Sequence, residues 1–158
     1  MSEFLINKAR TVALTGHRDL PDKFNKAKLK KLFLQFIEKG FDTFLIGMAL
    51  GFDTVCFNIL EKIKNAGKKI NLIACVPCLT QPLKFNIEQK KEYNRMLSVA
   101  DGKIVLSENY TPYCMMNRNR FMVDNASVLI AFVNRNFGGS YSTVKYAEKN
   151  NVPIVMFK

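Results

Sequence analysis

Short, continuous apolar runs alternate with amphipathic stretches along this chain, and this pattern restricts its fold more than any other feature. A strand that is apolar throughout has no solvated face, which is typical of parallel sheets covered on both sides. Parallel strands also need crossover connections, which are usually helices. The sequence therefore predicts a single α/β domain over residues 1–158, a Rossmann-like three-layer domain with a mainly parallel sheet. The predicted strands are residues 11–15, 44–47, 70–76, 104–106, 128–133 and 153–157.

The stretches between these runs show the one-sided apolar spacing of helices. From Leu29 to Ile37 the apolar side chains recur at i, i+3, i+4, i+7 and i+8, and Gly40 provides a helix stop. A similar stripe runs from Val55 to Ile63 and ends at Gly67. Later helical faces are predicted at residues 93–100 and 142–149.

The charge of the chain favours anionic partners. Lysine and arginine number 24 against 13 acidic residues, a formal net charge of +11. Part of the excess is the lysine run from Lys23 to Lys31, which at helical spacing is equally the solvated face of a helix. Surfaces that bind single strands of nucleic acid usually interleave aromatic and basic residues. This lysine run shows no such interleaving.

The sequence points to neither export nor a membrane. No apolar run approaches the ~20 residues that cross a bilayer. Met1–Arg10 lacks the apolar stretch of a secretory signal. We therefore expect a cytoplasmic protein with no membrane partner.

The four cysteines have one suggestive spacing, Cys75 and Cys78 with two residues between them, which is typical of redox or metal pairs. A zinc site would need a second pair, but Cys56 and Cys114 stand alone and His17 is remote in sequence. Ordinary packing of reduced thiols is the favoured interpretation. The sequence predicts no metal and no cofactor.

Ligands of open α/β sheets bind beyond the carboxyl ends of the strands, and two unusual stretches stand there early in the chain. After the first strand, Gly16 allows close backbone approach, His17 is the only histidine, and Arg18 offers a fork for phosphate. After the second, Gly47 and Gly51 predict a tight turn whose free amides form an anion cradle.

The next candidates each have two interpretations. Asp53 either caps the following helix or hydrogen-bonds a ribose hydroxyl. Gln81, in the loop of residues 77–85, either contacts a base or sugar or belongs to an ordinary loop. In the stretch of residues 117–124, Arg118 and Asn119 are candidate ligand contacts.

Arg118 and Arg120 are too close in sequence to share a helical face. We expect one of them to reach the ligand while the other pairs with Asp124; a purely structural ion pair is the alternative.

The last stretch, residues 137–143, places two glycines and several hydroxyls at the start of a predicted helix. Gly138 and Gly139 followed by Ser140 and Thr143 suit a phosphate at a helix N-terminus. The hydroxyls are equally good helix caps. We favour the phosphate interpretation because a strand precedes this stretch.

Taken in order, these motifs resemble the SLOG superfamily, and within it the YpsA-like branch. The likeness spans nearly the whole chain. It is carried by TGHR at 15–18, GMALGFD at 47–53, VPCLTQ at 76–81, RNRFMVDNASVLIAF at 118–132 and GGSYSTVKYAEK at 138–149.

The resemblance implies a domain that binds a nucleotide or a nucleotide-derived phosphate ligand, such as ADP-ribose, as a sensor or binding domain. The superfamily also contains LOG-type N-glycosidases of nucleoside monophosphates and DprA-type domains that bind single-stranded DNA, and it often forms homodimers. The LOG signature needs a glutamate three residues after Thr143, where this chain has Tyr146; Glu148 is offset by two. The resemblance therefore leaves the enzyme question open and assigns no catalytic residue.

Overall fold

The computed structural model describes residues 5–158. Residues 1–4, which belong to the predicted domain and to the segment considered for a signal, lie outside this range. The six strands form one sheet in which every neighbouring pair is parallel. They are β1 Thr11–Gly16, β2 Thr43–Ile46, β3 Asn71–Val76, β4 Gly102–Val105, β5 Val128–Phe132 and β6 Ile154–Met156. The α-helices are α1 Lys26–Glu38, α2 Phe52–Asn65, α3 Ile87–Val99, α4 Cys114–Asp124 and α5 Gly139–Lys149.

The sheet is the middle of three layers, which confirms the predicted fold class. On one face, Phe33 of α1, Phe57 of α2 and Met96 of α3 pack in a common core with alternate strand residues. On the other face, Met122 of α4 and Val144 of α5 pack against the remaining strand residues. Burial of both faces explains why the strands carry almost no polar side chains.

The strand order is β4-β3-β2-β1-β5-β6. The chain first builds outward from β1 to β4, and β5 then returns to pair with the other side of β1. The loops after β1 and β5 therefore leave the sheet in opposite directions and open a crevice at its carboxyl edge. This topological switch point is where open α/β sheets bind their ligands.

The predicted elements differ from the structure mainly at their ends. Helix α4 is the element that the apolar pattern missed, because only a few of its side chains, Met122 and Val123 among them, pack into the core. Helix α5 starts at Gly139, three residues before the predicted start at residue 142, and Gly138 is its N-cap. Among the described residues, no helix is both long and apolar enough to cross a membrane.

The cysteines pack as predicted from the sequence. Cys56, Cys75, Cys78 and Cys114 are all buried and free. The sulfurs of Cys78 and Cys114 approach within 3.9 Å, a contact between thiols. Burial raises the pKa of Cys75 to about 12, so this thiol stays protonated and behaves as a small apolar side chain.

Candidate functional site at the switch point

A cavity of about 280 Å³ opens at the carboxyl edge where β1 and β5 part. Loops that follow β1, β2, β3 and β5 line it together with helix α4. The structure thus brings together all the predicted site residues except Gly51 and Thr143. Those in the lining are Gly16, His17, Arg18, Gly47, Asp53, Gln81, Arg118, Asn119, Gly138, Gly139 and Ser140.

The floor of the cavity holds two buried groups of opposite charge, Asp53 and Arg118, each about 5% exposed. Arg118 donates from Nη1 to the carbonyl oxygen of Gly47 and from Nε to Oδ1 of Asn119 (2.7 Å). A Cβ atom on Gly47 would lie 2.9 Å from Cζ of Arg118 and 3.0 Å from Oδ2 of Asp53. Glycine is therefore needed where this backbone passes between the two side chains.

Asp53 is the least satisfied polar group of the floor. Its Oδ2 accepts from the amide of Ala49 (3.1 Å), while Oδ1 is buried and has no hydrogen-bond partner among the described residues. Burial raises the pKa of Asp53 to about 6, and the positive charge of Arg118 opposes the rise. The N-cap of α2 is Gly51, without a side-chain cap, so Asp53 does not play the capping role considered from the sequence. Its contact with a ribose hydroxyl stays a prediction.

One wall is held by Gln81, whose side chain ties two loops together. Its Nε2 donates to the carbonyl of Gly47 (3.0 Å), and its Oε1 accepts from the hydroxyl of Tyr93 in α3 (2.9 Å). The amide is thus oriented by the protein. One N–H of Gln81 remains for a ligand, so its predicted contact with a base or sugar stays open.

His17 joins the loops after β1 and β5. Its Nε2 accepts from the amide of Asn134 (3.1 Å), which places the proton of the neutral ring on Nδ1. Burial lowers the pKa of His17, and the charge of Arg135 lowers it further against the opposing effect of Asp19. The neutral ring packs edge-on against Phe132, so His17 helps to hold the switch point together.

Two arginines stand at the rim of the cavity. Arg18 is exposed and makes no hydrogen bond or ion pair within residues 5–158. Arg135 lies 3.8 Å from Asp19, a carboxylate that is 88% exposed, and its guanidinium lies over the ring of Phe137. Arg135 is not among the site residues predicted from the sequence, although it follows β5 as Arg18 follows β1.

The first turn of α5 forms the remaining wall. Its N-cap is Gly138, with φ of 96° and no side-chain cap, so the first amides of the helix have no capping partner. The Ser140 hydroxyl accepts a hydrogen bond from the hydroxyl of Thr15 (3.1 Å). Thr15 belongs to the TGHR motif and also lines the cavity, although no contact with the ligand was predicted for it. Unpaired amides at a helix N-terminus favour an anion in this position.

Two predicted site residues lie outside this cavity. A Cβ on Gly51 would lie 2.2 Å from the carbonyl oxygen of Arg18, so Gly51 packs beneath the β1 loop rather than in the lining. Thr143 is buried and donates to the carbonyl of Gly139 (2.8 Å), and it lines a neighbouring cavity. Both residues shape the site from behind.

The predicted ion pair between Arg120 and Asp124 is wrong within the described part of the chain. Oδ1 of Asp124 instead accepts from the hydroxyl of Tyr146 (2.7 Å), and the guanidinium of Arg120 lies 5.1 Å from the centre of the Tyr146 ring. The aromatic ring of α5 intervenes between the two charges. Of the two arginines, Arg118 is the one in the cavity lining.

The strand order and the cavity at the switch point define a Rossmann-like α/β domain. The YpsA family model, described as the YspA SLOG family, matches residues 12–157. This chain belongs to the YpsA SLOG family, which confirms the resemblance inferred from the motifs.

Two relatives match over most of their length. The SPbeta prophage-derived protein YoqJ of Bacillus subtilis (strain 168) is 28% identical over 139 residues, covering 77% of this chain and 81% of YoqJ. The UPF0398 protein BH1768 of Halalkalibacterium halodurans is 24% identical over 137 residues, covering 85% of this chain and 72% of BH1768.

Solved structures share the fold. DNA processing protein A (DprA) from Streptococcus pneumoniae superposes with a TM-score of 0.67 at 19% identity, over 94% of this chain and 50% of DprA. DprA from Helicobacter pylori, described for its single-stranded DNA binding mode, gives 0.68 at 22% identity, over 94% of this chain and 65% of that protein. The TM1055 structure gives 0.55 at 13% identity, over 92% and 72%. This chain spans about half to two thirds of the two DprA chains, and the likeness concerns the fold alone.

Proposed function

We propose that this domain binds a phosphate-bearing, nucleotide-like ligand in the switch-point cavity, as a sensor or binding domain. The observation that carries the proposal is the convergence of Arg18, Arg135 and the uncapped start of α5 on one small cavity. Arginine forks and free helix amides are the two protein features that best match a phosphate group.

The size of the cavity narrows the ligand. Its volume of about 280 Å³ lies at the lower end of the roughly 300–1,000 Å³ typical of small-molecule sites. A sugar phosphate fits these dimensions, whereas a larger ligand such as ADP-ribose would extend beyond the cavity. The lining provides hydrogen-bonding partners suited to a sugar, namely Asp53 in the floor and the remaining N–H of Gln81 in the wall.

Isothermal titration with inorganic phosphate, AMP and ADP-ribose tests the proposal. We expect AMP or ADP-ribose to bind, and Arg18→Ala and Arg135→Ala each to weaken binding about tenfold, the loss of one charge-assisted contact. Arg10→Ala is the matched control, because Arg10 is paired with Asp42 at the opposite edge of the sheet. Absence of heat with every ligand, or unchanged affinity in both rim variants, would contradict the proposal.

The same samples test the N-glycosidase alternative. Among the described residues, Asp53 is the only carboxylate in the cavity lining. Glu148 lines a separate open groove beside β6. Hydrolysis of AMP would therefore depend on Asp53. Chromatography for free adenine, with Asp53→Asn as the control, distinguishes binding from turnover.

A second candidate, binding of single-stranded nucleic acid, is favoured by one surface feature that the sequence analysis did not find. Three cations lie over aromatic rings on or near α5: Arg135 over Phe137, Lys145 over Tyr141 and Arg120 over Tyr146. Interleaved cations and rings suit stacked bases and backbone phosphates. These pairs lie outside the lysine run of residues 23–31. Lys145 and Tyr141 are one turn apart in α5, and Arg135 and Phe137 lie in the loop after β5. Arg120 and Tyr146 come together between α4 and α5, far apart in the sequence.

Fluorescence anisotropy with a labelled thymidine oligonucleotide at increasing salt tests this candidate. Binding to phosphates weakens steeply with salt. We expect Lys145→Ala and Tyr141→Ala to weaken oligonucleotide binding while leaving AMP binding unchanged, since neither side chain lines the switch-point cavity. Oligonucleotide binding that survives both substitutions would rule out this surface.

A further inference from the structure

A second cavity of about 280 Å³ adjoins the first, between α4 and α5. The two cavities share Met115, Asn119 and Gly139 in their linings, so they meet at this point. We call the second cavity the α4–α5 groove. Neither rim arginine lies in its lining.

Gly139 lies where the two cavities adjoin. It has no side chain, and a Cβ atom built there would already lie 3.9 Å from Nδ2 of Asn119. A larger side chain would narrow the junction. Gly139 and Asn119 therefore border both cavities, and a ligand bound in the switch-point cavity lies beside the groove.

The walls of the groove suit a flat, largely apolar group. Pro112, Met115 and Met116 supply apolar and polarisable surface on the α4 side. Tyr146 faces them from α5, and its ring is held by its hydrogen bond to Asp124 and by Arg120. A fixed aromatic ring beside flexible thioethers is a good stacking environment for a heteroaromatic ring.

The polar groups of the groove suit a ring that carries hydrogen-bond acceptors. Oδ1 of Asn119 already accepts from Nε of Arg118, so the orientation of the amide is set and Nδ2 is left with its donor hydrogens. The hydroxyl of Ser142 also lies in the lining. Ring nitrogens and carbonyl oxygens are the acceptors that such donors bind.

We propose that the α4–α5 groove is the nucleobase subsite of the ligand whose phosphate lies against α5 and the rim arginines. The proposal rests on the proposed function, because the phosphate and sugar must occupy the switch-point cavity first. It assigns the ligand class as a nucleoside phosphate with an intact base, rather than a bare sugar phosphate.

Titration of AMP and of ribose 5-phosphate separates the two subsites. We expect the wild-type protein to bind AMP at least about tenfold more tightly than ribose 5-phosphate, because a stacked base adds affinity that the bare sugar phosphate lacks. Ser142→Phe fills the groove from an exposed position outside the switch-point cavity. This variant should lose the preference for AMP and keep its affinity for ribose 5-phosphate.

Two further variants control for the added bulk of Ser142→Phe. Lys149→Phe places the same side chain at an exposed position two turns further along α5, outside the groove, and should leave both affinities unchanged. Met116→Ala removes groove surface without adding bulk and should weaken AMP alone. In methionine-methyl NMR, AMP should shift the Met116 signal by the ring current of the base, whereas ribose 5-phosphate should not, because Met116 lines the groove and not the switch-point cavity.

The outcomes distinguish the two proposals. If the wild-type protein binds ribose 5-phosphate as tightly as AMP, or if Ser142→Phe and Met116→Ala both bind AMP normally, the groove is not the base subsite and the phosphate site stands. If neither compound binds, the proposed function and the base subsite both fail.

Discussion

The two edges of the sheet carry cations in different states. At the amino edge, Arg10 lies 2.9 Å from Asp42, and Lys64 pairs with Asp101. At the carboxyl edge, Arg18 has no partner among the described residues, and Arg135 has only a 3.8 Å contact with the exposed carboxylate of Asp19. A paired cation is already neutralised, whereas an unpaired one beside a concave surface is available to an anion. The charge that matters for binding is thus concentrated at one edge, although the chain is basic throughout.

The glycines of the two edges differ in the same way. Gly40 and Gly67, at the amino edge, end α1 and α2 with φ of 102° and 113°, and a Cβ on either would meet nothing within 4 Å. At the carboxyl edge, Gly47 and Gly51 lie against Arg118 and against the backbone of Arg18. At the amino edge these glycines serve backbone conformation alone. At the carboxyl edge Gly138 does the same, with φ of 96° and no atom near its Cβ position, whereas Gly47 and Gly51 allow the close approach that shapes the site.

The largest expected effect comes from substituting these glycines. Gly40→Ala introduces a strained positive φ, which costs on the order of 1–3 kcal/mol. Gly51→Ala adds to a similar strain a clash with the carbonyl oxygen of Arg18, 2.2 Å from the new Cβ. We expect Gly51→Ala to lower the free energy of unfolding by roughly 4 kcal/mol, a value typical of severe steric substitutions.

Urea unfolding of the two alanine variants measures this difference. Gly67→Ala, whose Cβ is also free of contacts, should match Gly40→Ala. Equal losses in all three variants would show that the loop after β1 yields easily and that close packing at the carboxyl edge is not required.

The next largest effect concerns the pH dependence of stability at the cavity floor. The folded pKa of Asp53 is about 6, above the ordinary value near 3.8. Between these values the folded state binds more protons than the unfolded state, so the contribution of Asp53 is greatest below about pH 4 and is lost as pH rises through about 6. A shift of this size corresponds to about 3 kcal/mol.

Asp53→Asn isolates this contribution from that of the other carboxyl groups. The stability of the wild-type protein minus that of the variant should fall by about 3 kcal/mol between pH 4 and pH 7, and then stay level. Urea titrations at intervals over this range measure it. A difference that stays constant with pH would mean that Asp53 is ionised throughout and is neutralised by Arg118.

Much of the fold was predictable because each strand carries its own signal. A strand buried on both faces, such as β5 Val128–Phe132, is apolar at every position whatever its neighbours are. Helix α4 was not predicted because about half of its residues are polar. Arg118 is buried because it lies in the cavity floor, and no apolar periodicity in the sequence indicates this. The carboxyl-edge loops could be predicted because topology alone places them together.

The site was predictable as a set of loops and not as a set of contacts. Whether the Thr143 hydroxyl faces a ligand or donates to the carbonyl of Gly139 in its own helix depends on a rotamer that the sequence does not encode. The Asp53 and Arg118 floor joins residues far apart in the chain, and the α4–α5 groove exists only because Met115 and Tyr146 meet across two helices. Such pairings depend on packing, for which a single sequence gives no direct signal.

The smallest expected effect is also the most direct test of the difference between the edges. Arg10 and Asp42 are partly exposed, with side chains 55% and 29% accessible, so their pair should contribute only about 0.2–1 kcal/mol in a double-mutant cycle. Arg18→Ala should change the free energy of unfolding by less than about 0.5 kcal/mol, because truncating an exposed side chain without a partner removes no interaction.

Stability and phosphate affinity should therefore respond to opposite edges of the sheet. Arg10→Ala should lower stability slightly and leave phosphate affinity unchanged, whereas Arg18→Ala should lower phosphate affinity and leave stability unchanged. If Arg18→Ala destabilised the fold more than Arg10→Ala, Arg18 would be a structural side chain, and the carboxyl edge would have no free cation at that position to offer an anion.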